Sequence, residues 1–192
     1  MVGIEPVRAM LTHSRSVAPH ALFVVGQGER LPFSVATFDL VTAAGSINYA
    51  DPDRFLAEVA RVLAPRGNLV IYDFSAGRRL GASRRLEEWF DAFESRYPPP
   101  PGYALDVSAL GYRGAGLRLE AYDQREIAVP MNLASYLSYA LGEANIESAI
   151  LRGAADGEIR DWCQRTLGDV FGDKPQDVLF DSYIAYVNWG AR

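Results

Sequence analysis

The stretch Phe38 to Tyr49, FDLVTAAGSINY, constrains the fold of this chain more than any other part of it. Phe38, Leu40 and Val41 are large and apolar and suit a buried strand, while Thr42, Ala43, Ala44, Gly45 and Ser46 are small and lead straight into a helix signal. The binding end of an open parallel sheet is built this way, with ligands seated beyond the carboxyl ends of the strands. An ordinary core strand with a tight turn has the same local pattern, so the neighbouring segments must decide.

Those neighbours alternate strand and helix. VGIEPVRAML reads as a short strand ending at Glu5, then a helix with Pro6 in its first turn and Val7, Met10 and Leu11 on an apolar face. Ala21 to Val25 is a second short strand, followed by the loop GQGERLPF, and Phe38 to Ala44 is the third. Asp51 or Asp53 with Pro52 opens a helix that carries Phe55, Leu56, Val59, Val62 and Leu63 on one stripe and stops at Pro65, Arg66, Gly67. Leu69 to Phe74 is the fourth strand. Strands separated by helices or loops predict an α/β, Rossmann-like, mostly parallel sheet built from crossover units.

The second half reads differently. After Ser83 a helix carries Leu86, Trp89, Phe90, Phe93 and Tyr97, and the prolines Pro98 to Pro101 end it. Leu117 to Val129 and Val178 to Trp189 alternate with period two and suit an antiparallel edge pair. Helical segments Leu133 to Leu141 and Ile159 to Phe171 lie between them. The expected organisation is one domain over residues 1–192, with 130–177 a helical lid inserted between the last two strands.

Composition excludes several functions. With 49% hydrophobic and 22% charged residues and a net charge of −5, the chain has no basic run to bind nucleic acid or an anionic membrane surface. Cys163 is the only cysteine, so neither an intramolecular disulfide nor a cysteine zinc site is available, and no His, Cys or carboxylate cluster has metal-ligand spacing. No secretory signal or membrane-length apolar run is visible, and the cytoplasm is the default expectation. A hydrolase lacks its G-x-S-x-G elbow, and His13 and His20 lie outside the loop constellation.

VGIEPVRAML, the stretch from VVGQGERLPF through FDLVTAAGSINYADPDRFLAEVARVLAPRGNLVIYDF, and more weakly REIAVPMNLASYLSY together resemble the class I S-adenosylmethionine-dependent methyltransferases. The likeness is to the small-molecule branch related to ubiquinone and menaquinone biosynthesis, and the LPF turn, FDLV strand, E-x-x-R-V-L helix and P-x-G turn carry it. The resemblance implies cofactor-binding roles for Glu5, Pro6, Gln27, Gly28, Glu29, Ala43 and Ala44. Glu5 would accept both ribose hydroxyls, since a carboxylate has two acceptor oxygens for a vicinal diol. Gln27 stands where an aspartate commonly meets the adenine amine, with Gly28 and Glu29 beside the ring. Ala43 and Ala44 would meet the methionine part, and Ser46, Asn48 and Tyr49 would face the acceptor. Methyl transfer from a sulfonium needs alignment and desolvation, so no catalytic acid or base is implied.

One family feature has no counterpart here. The first family strand, its G-x-G-x-G turn and the following helix should precede Glu5 by a few tens of residues, and neither Gly26-Gln27-Gly28 nor Gly114-Ala115-Gly116 replaces them. That strand would lie between the strands ending at Glu5 and Ala44, so these two pair directly, another chain supplies an edge, or the region is poorly ordered; direct pairing or dimerisation is the expectation. Three readings follow: a methyltransferase whose N-terminal part is supplied from elsewhere, a degenerate non-catalytic module, or an apolar pocket under the lid, with Phe90, Phe93, Tyr136 and Tyr139 as candidate lining, that binds a small ligand.

Overall fold

The computed structural model describes residues 1–100, 105–172 and 174–189. The described residues within Met1–Asp73, Ala104–Asp123 and Ile184–Arg192 form one compact unit, and those within Phe74–Tyr103 and Gln124–Tyr183 a second.

In the first unit, β1 (Val2–Glu5) pairs in parallel with β2 (Leu22–Val25), with Glu5 opposite Val25. The segment between them forms a 3₁₀ turn over Arg8–His13 and one short helix, α1 (Ser14–Val17), where a single helix was expected. Its apolar face is not covered: Met10 is 70% exposed. β3 (Phe38–Ala44) and β4 (Leu63–Phe74) form a second parallel ladder, Val41 opposite Leu69 and Ala44 opposite Tyr72. Between them runs α2 (Pro52–Val62), started by Asp51, whose carboxylate accepts from Asp53 N and Arg54 N at 3.1 Å. The proline at its first position has no N–H to leave unpaired. Arg66 takes φ of +70° just inside β4, so the expected stop at Pro65-Arg66-Gly67 lies within the strand.

Phe55, Leu56, Val59 and Val62 of α2 are buried, as are Ala43, Leu69 and Ile71 of the ladder. The strict alternation of β4, where Leu69 and Ile71 are buried and Asn68 and Tyr72 exposed, leaves the other face of the ladder open. The β1–β2 and β3–β4 ladders belong to separate sheets. Direct pairing of β1 with β3, one of the two repairs the sequence suggested, does not occur. The connection between the ladders is anchored to α2 instead, through Leu31 N on Glu58, Ala36 N on Arg61 O and Thr37 N on Val62 O.

The second unit contains β5 (Arg79–Leu80), α3 (Arg85–Arg96), α4 (Leu133–Ala140), α5 (Ala144–Leu151) and α6 (Asp156–Gly168). α3 ends at Arg96 with Tyr97 as its cap, before the proline run, of which Pro101 lies outside the described residues. The long strands β6 (Leu117–Met131) and β7 (Gln176–Trp189) pair with each other and supply residues to both units. β7 neighbours β4 and β5 in the sheet, and its pairing with β5 is antiparallel. Among the described residues no helix is long and apolar enough to cross a membrane.

Phe90, Phe93 and Tyr136 are among the most deeply buried side chains of this unit, and Trp89 stacks on Phe93 and Trp162 at centroid distances of 5.2 and 5.9 Å. The aromatic residues expected to line a ligand pocket are therefore core. Tyr136 donates its hydroxyl proton to Gly77 O at 2.6 Å, and Tyr139 Oη accepts from Gly77 N at 3.2 Å, so both backbone groups of one buried glycine are satisfied by tyrosines. Burial pushes the Tyr136 hydroxyl well above the ordinary phenol range, which keeps it a donor. A Cβ on Gly77 would stand 2.5 Å from Phe180 Cζ. Gly77→Ala is expected to cost about 1–3 kcal/mol through overpacking, and Tyr136→Phe about 1–3 kcal/mol through the orphaned carbonyl; urea denaturation of the two variants measures both.

Candidate functional site

The carboxyl ends of β1, β2 and β3 are linked by short backbone and side-chain bonds. Gly26 N donates to Glu5 O at 3.2 Å, and Glu29 Oε1 accepts from Asp51 N at 3.0 Å. Ala44 in turn reaches Asp51 through the brief segment 45–50, which holds the 3₁₀ turn Ile47–Tyr49. These bonds set Glu5, followed by Pro6, beside the strand end that leads into Gln27, Gly28 and Glu29, and set Glu29 beside the start of α2, which the chain reaches from Ala43 and Ala44 through Ser46, Asn48 and Tyr49.

Their individual environments differ. The half-buried Glu5 accepts from Val7 N through Oε1 at 2.8 Å, so one carboxylate oxygen caps the following turn and the other remains for a ligand. Pro6 and Gln27 are exposed, and Arg30 N bonds back to Gln27 O at 3.2 Å to close a tight turn. Gly28 has a packing reason to be glycine: a Cβ there would lie 2.9 Å from Phe55 Cδ2. Glu29 ties the turn to the start of α2 and is less open to a ring than the sequence implied.

On β3 the pleat separates the two alanines, Ala43 facing the core and Ala44 solvent. Any ligand contact of Ala43 is through its backbone. Ser46 and Tyr49 are exposed, Tyr49 by 67%. Asn48 is different: its Oδ1 is enclosed and accepts no hydrogen bond among the described residues.

Two residues of this end were not picked out from sequence. Gly45 has φ of +54°, its N–H donates to Tyr72 O at 3.0 Å, and the Asp73 carboxylate lies 3.2 Å from where a Gly45 Cβ would stand. A glycine closing a small-residue run and an aspartate near the end of IYDF were the available signals. A shallow cavity of about 400 Å³ lies elsewhere in the unit, against Tyr112, Arg113, Arg118 and Leu119, and touches none of the predicted residues. Among the described residues no group of His, Cys, Asp and Glu could hold a metal ion.

The segment after this turn, Leu31 to Phe33, is held by one ion pair. Arg61 donates to Phe33 O at 2.7 Å, to Leu31 O at 2.9 Å and to both oxygens of Glu58, and Glu58 Oε2 also accepts from Leu31 N at 2.8 Å. The hydrogen bond from Arg61 holds the Glu58 carboxyl below its ordinary value, opposed by burial and helped by the Leu31 N–H.

Residues 1–71 match the family model of the methyltransferase domain (Methyltransf_11). Over these residues the chain is similar to methyltransferases. It is 34% identical over 88 residues to an uncharacterised methyltransferase of Mycobacterium tuberculosis, covering 46% of this chain and 36% of that protein. To the ubiquinone/menaquinone biosynthesis C-methyltransferase of Idiomarina loihiensis it is 30% identical over 125 residues, covering 64% of this chain and 48% of that one. The chain therefore spans between a third and a half of these curated relatives. A solved structure from Anaeromyxobacter dehalogenans, described as a type II methyltransferase, shares the fold with a TM-score of 0.66 at 20% identity, over 98% of this chain and 79% of that one.

Arg61→Met is expected to loosen the loop between β2 and β3 and speed amide exchange at Leu31. A carboxylate with a lowered folded pKa stabilises above its unfolded value and loses that contribution as pH falls through the lowered one. The stability gap between wild type and Arg61→Met should therefore narrow from neutral pH to about pH 3, as denaturant titrations at both ends would measure.

Proposed function

We propose that this chain provides strand-end residues for S-adenosylmethionine-dependent methyl transfer to a small molecule. What supports the reading is an acidic strand terminus, Glu5, bonded through its carbonyl to Gly26 ahead of the Gln27–Glu29 turn, the bond from Asp51 N to Glu29, and the small Ala44–Gly45–Ser46 end of β3.

The donor and acceptor set fits the cofactor. Glu5 has an oxygen left for a ribose hydroxyl, the exposed Gln27 offers a carbonyl to an adenine amine, and the left-handed Gly45 presents backbone without a side chain. When bound, S-adenosylmethionine supplies a methyl group on a positively charged sulfur, electrophilic enough to need no acid or base from the protein. The work of these residues is to hold and orient. Asn48, with its unsatisfied Oδ1, and Tyr49, with its exposed ring, are placed to align an acceptor, and Tyr49 favours an apolar or aromatic one. Phe90, Phe93 and Tyr136 belong to the core of the second unit and add nothing on the acceptor.

A non-catalytic module of the same fold is the competing reading, favoured by the separation of the β1–β2 and β3–β4 ladders. Calorimetric titration with S-adenosylmethionine decides between them. Micromolar binding supports the methyltransferase reading, and no heat at millimolar ligand supports the module. Glu5→Ala is expected to weaken cofactor binding by about ten- to a hundredfold, the effect of losing charge-assisted hydrogen bonds, while leaving the circular dichroism spectrum unchanged.

A further inference from the structure

The cavity beside Tyr112 lies apart from the strand ends and has walls of mixed character. Its volume is about 400 Å³, within the range of small-molecule sites. Arg113 and Arg118 line it together with Gly111, Gly114, Leu110 and Leu119. Two buried side chains fix the backbone that carries them. Tyr112 is 4% exposed and donates its hydroxyl proton to Val107 O at 2.7 Å, and Leu117 is 1% exposed. Between these anchors the 3₁₀ turn Tyr112–Ala115 ends at Gly116, whose φ of +75° turns the chain into β6. Arg113 of the turn and Arg118 of the strand thereby come to line one cavity.

We propose that this cavity binds a small organic oxyanion, a carboxylate or phosphate on an apolar body, with Arg113 and Arg118 at the anionic end and Leu110 and Leu119 against the body. Three observations point to that class. First, Arg113 forms no ion pair among the described residues, so its planar fork is available to grip two oxygens of one ligand. Second, Arg118 pairs only with Glu120, two residues on along the same strand, an exposed contact that a ligand can exchange at little cost. The other acidic group beside the turn is Asp53, whose carboxylate lies 3.0 Å from where a Gly111 Cβ would stand and which pairs with neither arginine. Third, the space exceeds what a bare ion fills, and two leucines line it beside the guanidiniums. Gly114 has open space where a Cβ would stand, so its backbone can be approached from there. None of these residues belongs to the strand-end set, and the inference stands whether or not S-adenosylmethionine binds there.

The test is an NMR titration of the full, isotope-labelled chain with phenyl phosphate and with benzoate, and inorganic phosphate and benzyl alcohol serve as controls. At least one of the two organic anions should shift the amides of Gly111 and Gly114 and the Nε–H groups of Arg113 and Arg118, with a Kd below about 1 mM. The tighter of the two identifies the anionic group as phosphate or carboxylate. Inorganic phosphate should bind about tenfold more weakly for want of the apolar body, and benzyl alcohol should shift nothing. Arg113→Gln should weaken binding about tenfold, Arg113→Lys should retain part of it, and Glu120→Gln, which removes the competitor for Arg118, should tighten it about threefold; all three should preserve the circular dichroism spectrum. No shift at these groups up to about 10 mM of either organic anion, equal binding of inorganic phosphate or benzyl alcohol, unchanged affinity in Arg113→Gln, or weaker binding in Glu120→Gln would each overturn the proposal.

Discussion

The geometry of the first unit depends on one guanidinium. Arg61 bonds two loop carbonyls and both oxygens of Glu58 at once, a use of the planar fork that a lysine could not reproduce. The loop between β2 and β3 has little regular structure of its own, and through this contact it borrows rigidity from α2. The position of Leu31 to Phe33 against α2 follows. The pair is partly solvated, so its value lies in fixing a loop more than in raw stability.

Much of the architecture was legible because local signals agreed. β3 was bounded correctly at both ends since its apolar run begins after a turn and closes in small residues, and α2 announced itself through Asp51, Pro52 and a clean apolar stripe. The failures have physical causes. Met10 and Leu11 looked like one face of a helix, but with that face uncovered the segment breaks into a 3₁₀ turn and a single helical turn. α5 was missed because Ala144–Leu151 is short and weakly amphipathic, and β5 because two residues carry no periodicity.

The site was legible as a neighbourhood and less so as a set of roles. Glu5 and Ala44 stand at strand ends, as read from the sequence, but in two separate sheets. Sequence could not show that Gly28 makes room for Phe55, that Glu29 is bound to Asp51 N, or that Tyr136 and Tyr139 hold Gly77, because each is a long-range contact between residues whose local patterns are silent. The comparisons show similarity to methyltransferases over part of the chain and a shared fold, and one fold hosts many chemistries, so the acceptor must be argued from the strand ends themselves.

One small feature of β3 acquires meaning from its setting. Asp39 is the single charged residue in FDLVTAA, and it is exposed. A bare apolar strand with a row of free amides is the usual seed of fibril growth, and a lone carboxylate within it makes in-register stacking of identical chains repulsive. Asp39 thus has the placement of a gatekeeper, a charge set within the strand where like chains would otherwise stack.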